Sequence, residues 1–529
     1  MLFADQRASI VRTVSNRTHF VGSAKVISAL TLVSRFLGLA RDMLCSHVFG
    51  AGGLMAAFAI GFQIPNLFRR LFGEGALSAS SIPVLTDQLH HGGTEAVDRL
   101  SGRLLGGLLM TLIGLTVLGE LIVLGLRPLL AETERNALTL GLTALLLPYM
   151  IPICASAILG GVQNIFGRFA VPAANPIVLN CFMIAALLAG PALAPGRAAW
   201  QVYFLAAAVV ASGVFQLSWQ WASARRCGLR LRLRIDVRDE ALRTIARTML
   251  PMTLGLGVVQ LNTLLDGLLA YGLIWSHPGG PAVLFYANRL YQFPLGVFAI
   301  AVATAIFPAL SRHAAANDTA ALNDTFTRGL RVVLFEGLPC TIGLILIRRP
   351  LIETLFEHGK FDPEDTARVA RTLVAYGAGV WAFGLNQIAV RAFYSLKDPR
   401  TPMRIAAWMV LLNLTLNLLL VFPLEEAGLA LSTTVCAVVQ VIWLLVHLRA
   451  RLGRLEARAL VPSAARTLAA TAIMAAAVLA LDGVLGAKPP FAGSSLLRLV
   501  LLTGGGAVAF AGAAWALRSP ELREIVRRR

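Results

Sequence analysis

Three groups of charged residues interrupt the longest apolar runs of this chain, and their types suit one kind of chemistry. The first is "LTLVSRFLGLARDMLCSHVFGAG", with Arg35, Arg41 and Asp42. The second is "FQIPNLFRRLFGEGALS", with Asn66, Arg69, Arg70 and Glu74. The third is "FYANRLYQFPLG", with Asn288, Arg289 and Gln292. A guanidinium keeps its charge and presents a planar fork of N–H donors that matches the oxygens of a phosphate or carboxylate. Each charge at the bilayer centre costs about 2.5–3.5 kcal/mol on insertion scales, so arginines gathered at that depth imply a shared polar cavity. On a regular helix Asn66, Arg70 and Glu74 share one face, as do Arg35 and Asp42. The surplus of cation predicts an anionic substrate held by Arg35, Arg41, Arg69, Arg70 and Arg289 between two helical halves. Asp42, Asn66, Glu74, Asn288 and Gln292 are the expected supporting or gating groups. The plainer alternative for any one arginine is an ion pair, or a side chain that snorkels to the interface.

One acid stands apart. Asp266 lies mid-run in "QLNTLLDGLL", with Asn262 one turn before it, and Asn386 occupies another apolar run. Oxygen ligands of this kind suit a hard cation, whereas the plain reading is an acid hydrogen-bonded inside a bundle. The six cysteines are scattered with no C-x-x-C, so buried free thiols are expected, and no H-E-x-x-H occurs. Paired acids for Mg²⁺, or a His/Asp/Ser set at one membrane face, are missing too, which argues for a transporter over an enzyme.

The elements that must position these groups are helices crossing a bilayer. The chain is 57% hydrophobic and 14% charged over 529 residues, far more apolar than a soluble domain. About 20 apolar residues are needed per crossing, and on that ruler the sequence holds roughly fourteen spans. The net charge of +19 sits in short segments between spans, such as the eight arginines of 225–247. That pattern is a positive-inside bias reinforced by anionic lipid headgroups, and no soluble basic domain exists to present a groove to nucleic acid. It puts both termini in the cytoplasm.

The chain also repeats itself. Gln63-x-Pro65 returns as Gln292-x-Pro294 and Ile82-Pro83-x-Leu85 as Phe307-Pro308-x-Leu310, at offsets of 229 and 225. Gln216-x-x-Trp219 returns as Gln440-x-x-Trp443, and Phe166 with Pro172 as Phe393 with Pro399, at offsets of 224 and 227. Six spans per copy is an even number, so the copies share orientation, an architecture of transporters with the substrate between the halves. The expected fold is all-α and polytopic. It has an N-terminal segment (1–23), an N-lobe (24–224), a basic linker (225–247), a C-lobe (248–448), a basic loop (449–463), two extra spans (464–517) and a basic tail (518–529).

"SRFLGLARD", "FGAG", "FQIPNLFRRLFGEGALS", "FPLG" with "FPALS" downstream, and "AFYSLKDPRTP" together resemble the MurJ/MviN family of lipid II flippases, in the MOP exporter superfamily. The resemblance runs from about residue 24 to the C-terminus. It implies alternating access in the bacterial inner membrane and a cargo of undecaprenyl-diphosphate-linked peptidoglycan precursor, moved to the outer leaflet for cell-wall biosynthesis. It also implies that the five arginines are the family's cavity arginines, and that the last two spans form a groove for the polyprenyl tail. Asp266 matches a position resembling part of a sodium site. The expected coupling is therefore a cation, sodium or proton, or the membrane potential, with no other cofactor. The expected state is a monomer, with a cell-wall synthesis complex as a further partner. The chain departs from the family pattern at Ala56, Asn288 and Gln292, where acids are usual. Sibling readings are an oligosaccharide-lipid flippase, a drug exporter or a non-transporting scaffold. A drug exporter for organic cations should line its cavity with acids and aromatics.

Overall fold

The computed structural model describes residues 2–73, 76–234, 236, 239–453, 457–487 and 495–527, and these contain helices and no strand. Contacts divide the chain into two compact units. The first is Met1–Cys45 with Ala57–Gln260, and the second is Ser46–Ala56 with Leu261–Arg529. The division falls at Gln260, inside a helix, rather than at the basic linker where the composition changes.

In chain order the first unit takes in most of α1 (Leu2–Phe49) and α2 (Gly53–Phe68), a π-helical turn (Arg69–Gly73), and α3 (Ala76–Leu130). Next come α4 (Glu134–Leu146), α5 (Met150–Ile165), α6 (Ala170–Leu193), α7 (Ala198–Arg225) and the first part of α8 (Glu240–Leu273). α3 is broken at Gly93, whose φ of 64° suits a residue without a Cβ. Pro83, Asp87 and Gln88 before the break line the same cavity, of about 860 Å³, as Leu100 and Arg103 after it. A straight helix would set residues 83 and 103 about 30 Å apart, so the chain folds back there.

The second unit continues with α9 (Gly280–Pro294), a second π-helical turn (Leu295–Ala299), α10 (Ile300–Ala315), α11 (Thr319–Leu346) and α12 (Arg348–Leu355). Then follow α13 (Pro363–Gly377), α14 (Val380–Ser395), α15 (Arg400–Leu452), α16 (Ala457–Ala487), α17 (Ser495–Ala516) and α18 (Pro520–Arg527). α15 is a hairpin broken at Glu425, where φ is 51°. Asn413 Nδ2 reaches Thr433 Oγ1 at 3.5 Å and Cys436 Sγ reaches Met409 O at 3.6 Å, so the two arms run antiparallel.

The repeat is visible in the elements themselves. The π turns begin at Arg69 and Leu295, an offset of 226. α4 and α13 start after side-chain N-caps at Thr133 and Asp362, an offset of 229. α5 and α14 are both 16 residues long and lie 230 apart. Among the described residues nine helices are long and apolar enough to cross a membrane, or ten if α13 and α14, bent by 41°, form one span. The expected fourteen is not reached by this measure. At 16 residues α2 is too short, and α1 carries Arg35, Arg41 and Asp42 close together. α3 and α15 each count once although both fold back.

Two sequence features acquire structural explanations. The basic linker is docked: Asp98 Oδ1 accepts from Arg230 N at 2.8 Å and Leu231 N at 2.7 Å. A Cβ on Gly102 or Gly106 would meet Arg232 O at 2.1 Å or Arg234 O at 2.3 Å, so small residues are required beneath the strap. Leu229 and Leu231 are buried while Arg230, Arg232 and Arg234 are exposed. In "LKDPRTP" Asp398 caps α15, accepting from Thr401 Oγ1 at 2.6 Å and from the backbone N–H of Arg400 and Thr401 at 3.1 Å. Arg451 adds a 2.7 Å ion pair. Burial pushes the Asp398 carboxyl up, but the Thr401 bonds, the Arg451 charge and the Arg400 N–H outweigh it and leave the pKa lowered.

Candidate functional site

α1 is a single helix through Arg35, Arg41 and Asp42 because nothing in "TLVSRFLGLARD" breaks its hydrogen-bond ladder. Arg41 turns onto its neighbour: Nη2 and Nε donate to Asp42 Oδ1 at 2.6 and 3.0 Å. Its Nη1 donates to Asn180 Oδ1 at 2.9 Å, and Asn180 Nδ2 donates to Ser34 O at 3.1 Å. The pair is only 6% and 3% exposed. Burial disfavours the charges, and it is tolerated because the carboxylate and the amide satisfy the guanidinium. Arg35 lies on an exposed part of the same helix.

The second motif holds the π turn. Pro65 lacks an N–H to donate to the helix ladder, and five residues, Arg69–Gly73, wind more widely before α3 begins. Such single turns occur frequently at functional sites. Arg69 Nε donates to Asn66 Oδ1 at 2.9 Å, and Arg70 Nη1 donates to Gln260 Oε1 of α8 at 3.1 Å. Asn66 is bonded by Arg69, three residues on, which regular-helix spacing sets off the shared face of Asn66 and Arg70. Both guanidiniums are half-buried. Glu74 lies outside the described residues.

In the second unit Arg289 is exposed, with its guanidinium carbon 5.2 Å from the centroid of the Phe285 ring. Gln292 donates to Asn288 across one helical turn, so the two amides at positions where the family resemblance leads one to expect acids satisfy each other.

Asp266 is 6% exposed, and its partners come from the α15 hairpin. Asn417 Nδ2 donates to Oδ1 at 2.6 Å and Thr433 Oγ1 to Oδ2 at 3.3 Å, while Asn417 Nδ2 also reaches Asn413 Oδ1 at 2.8 Å. Of the two residues expected beside it, Asn386 Nδ2 donates to Ala437 O at 2.9 Å, and Asn262 Oδ1 is buried with no hydrogen bond. The sequence did carry a signal for the hydrogen-bond partners. Asn413 and Asn417 stand one turn apart in the apolar run "LLNLTLNLLL", but pairing them with Thr433 requires the hairpin at Glu425. Asn417 Oδ1 is likewise buried without a partner, so one carboxylate, amide oxygens and a hydroxyl offer an oxygen-only set of the kind a small hard cation takes. Among the described residues no three His, Cys, Asp or Glu side chains cluster as metal ligands.

Comparison with known proteins places this geometry. A family model described as lipid II flippase MurJ matches residues 45–500. A probable lipid II flippase MurJ of Vibrio cholerae is 34% identical over 442 residues, covering 80% of this chain and 82% of that protein. The lipid II flippase MurJ of Burkholderia cenocepacia is 31% identical over 435 residues, covering 80% and 83%. Among solved structures, a lipid II flippase MurJ in an inward closed conformation is similar at a TM-score of 0.76 and 21% identity, covering 94% of this chain and 99% of that one. An inward-facing multidrug resistance MATE family transporter of the MOP superfamily is similar at 0.66 and 14% identity, covering 82% and 99%. The chain belongs to the MurJ family of lipid II flippases.

Proposed function

We infer that this protein carries lipid II from the cytoplasmic to the outer leaflet of the bacterial inner membrane by alternating access. The observation that carries this reading is the paired arginine motif on the π turn, with Arg69 and Arg70 each oriented by a neutral amide. A guanidinium presents a fork of N–H donors that matches the paired oxygens of a diphosphate, and two in succession on one half-buried turn suit such a ligand. Arg35 and Arg289 are proposed to join them. Arg41, its charge already balanced by Asp42, is proposed to act by holding α1 and α6 in register around the site.

The same inference places both termini in the cytoplasm, on the side of the linker arginines, where Arg230, Arg232 and Arg234 would meet anionic headgroups. It assigns coupling to a cation at Asp266, Asn413, Asn417 and Thr433. When bound there the cation would supply charge that links α8 to the α15 hairpin. The decisive experiment is complementation of a strain depleted of its own lipid II flippase, read as growth and as outer-leaflet exposure of labelled lipid II. Failure to complement at normal abundance would refute the reading. Asp266→Asn should abolish any sodium dependence of transport while leaving lipid II binding in place, and unchanged sodium dependence would remove the cation from this site.

A further inference from the structure

Arg391 is a cation that the functional reading above does not use. It lies on α14, four residues before the helix ends at Ser395, so its Cα is about 6 Å inside the element. Its Nη1 donates to Thr304 Oγ1 on α10 at 2.8 Å. Three other arginines of the second unit are matched by acids: Arg451 by Asp398, Arg331 by Glu521 and Arg328 by Glu524. Among the described residues no carboxylate pairs with Arg391. A guanidinium has five N–H donors, and a hydroxyl occupying one leaves the rest of the fork for a ligand.

The face on which Arg391 is anchored gives it a context. Arg289, Phe293, Val297, Ile300 and Thr304 recur at spacings of four, four, three and four, and all five are exposed. Arg289 begins this stripe and the Arg391–Thr304 bond ends it, 15 residues further on, or about 22 Å along the helix. The repeat offers a control. α5 and α14 correspond at an offset of 230, which sets the buried Gly161 opposite Arg391, so the arginine is no generic part of the six-helix plan.

We propose that Arg391 is a second oxyanion station for the transported lipid, at the opposite end from Arg289 of the exposed stripe that runs from α9 across the π turn into α10. This rests on the lipid II reading. A lipid II headgroup carries oxyanions at two places, the diphosphate and the carboxylates of its peptide. An extended peptide adds about 3.3 Å per residue to the reach of the disaccharide and diphosphate, so one cargo can address both ends of the stripe. Thr304 positions the fork and the stripe between the stations offers an apolar wall.

The test uses the full-length protein in vesicles of neutral lipid, with binding of lipid II and of undecaprenyl diphosphate measured for wild type, Arg391→Ala, Arg391→Lys and Thr304→Val. Loss of a charge-assisted contact should weaken lipid II binding by about tenfold or more in Arg391→Ala. Arg391→Lys should recover part of it, and Thr304→Val should stay within about threefold of wild type. Equal loss for undecaprenyl diphosphate assigns the station to the diphosphate, and loss confined to lipid II assigns it to the peptide carboxylates. Either pattern supports the proposal. Wild-type affinity in Arg391→Ala at normal abundance overturns it. So does a Thr304→Val loss equal to that of Arg391→Ala, which would make the bond structural. A loss that appears only when anionic phospholipid is added would make Arg391 a headgroup anchor and would also overturn it. If wild type itself fails to bind lipid II, the functional reading falls and this proposal with it.

Discussion

Arg41 and Arg70 are the same residue type in different settings, one buried and the other half-buried. Arg41 is matched by a full carboxylate at 2.6 Å in a buried site, so its charge is spent within the protein. Arg70 is half-buried and bonded to the neutral Gln260. Arg70→Ala should therefore cut lipid II affinity by about ten- to a hundredfold, the scale of a charge-assisted hydrogen bond, with abundance unchanged. Arg70→Lys should retain only part, because lysine keeps the charge and loses the fork. Titrating purified variants with lipid II checks both. Asp42→Asn should fail differently: it leaves a buried guanidinium uncompensated, costing about 3–5 kcal/mol of stability. Thermal unfolding and membrane abundance would show that loss before any transport assay did.

At the scale of elements, α18 is held to α11 and α16 by one carboxylate. Glu521 is 1% exposed and accepts from Ser463 Oγ at 2.7 Å, Ser519 Oγ at 2.7 Å and Arg331 Nε at 2.8 Å. Burial pushes its pKa up, yet the serine bonds, its own backbone N–H and Arg331 outweigh burial and leave it lowered. A lowered folded pKa means stability that is present above the unfolded carboxyl value of about 4.3 and is lost as pH falls through the folded one. α18 should stay protected from hydrogen exchange at neutral pH and open in acid below that range. Glu521→Gln should open it already at pH 7. Equal protection of residues 520–527 in the variant would count against the clamp.

The elements also show what the sequence made legible. Hydropathy and turn residues disclose most helices, and the near-constant offset discloses two copies of one plan, because both are local properties. The arginine motif was visible because charge at membrane depth is costly. The π turns were not, since the prolines before them, Pro65 and Pro294, have counterparts such as Pro83 and Pro308 inside ordinary α-helix. Asn413 and Thr433 were not matched to Asp266 because their proximity depends on where Glu425 folds α15 back. The docking of the basic linker was not legible because it depends on Asp98 and on two glycines more than a hundred residues earlier.

For the molecule as a whole, the junctions between the two units matter most. The chain passes from one to the other at 45/46, 56/57 and 260/261, inside α1, α2 and α8. The stretch Ser46–Ala56 is fixed within the second unit by backbone contacts: Lys360 N donates to His47 O at 2.9 Å, Ala51 N to Asp365 Oδ2 at 2.9 Å and Tyr286 Oη to Gly50 O at 3.2 Å. Gly50 is required there, with φ at +63° and Lys360 O only 2.6 Å from where a Cβ would sit. Each of these junctions lies inside a helix, so any bending there must be taken up by helical backbone, as in a leaf spring. Gly257, close to the third, has room for a methyl group, its nearest neighbour being Leu71 Cδ2 at 3.9 Å. Alanine there favours helix by about 1 kcal/mol and stiffens that spring. Gly257→Ala should slow each transport cycle severalfold without altering the dissociation constant for lipid II, which single-turnover flipping measured beside equilibrium binding would reveal. A slower cycle at unchanged affinity would mean that helix stiffness at the junctions, and not the strength of the grip on the cargo, governs turnover.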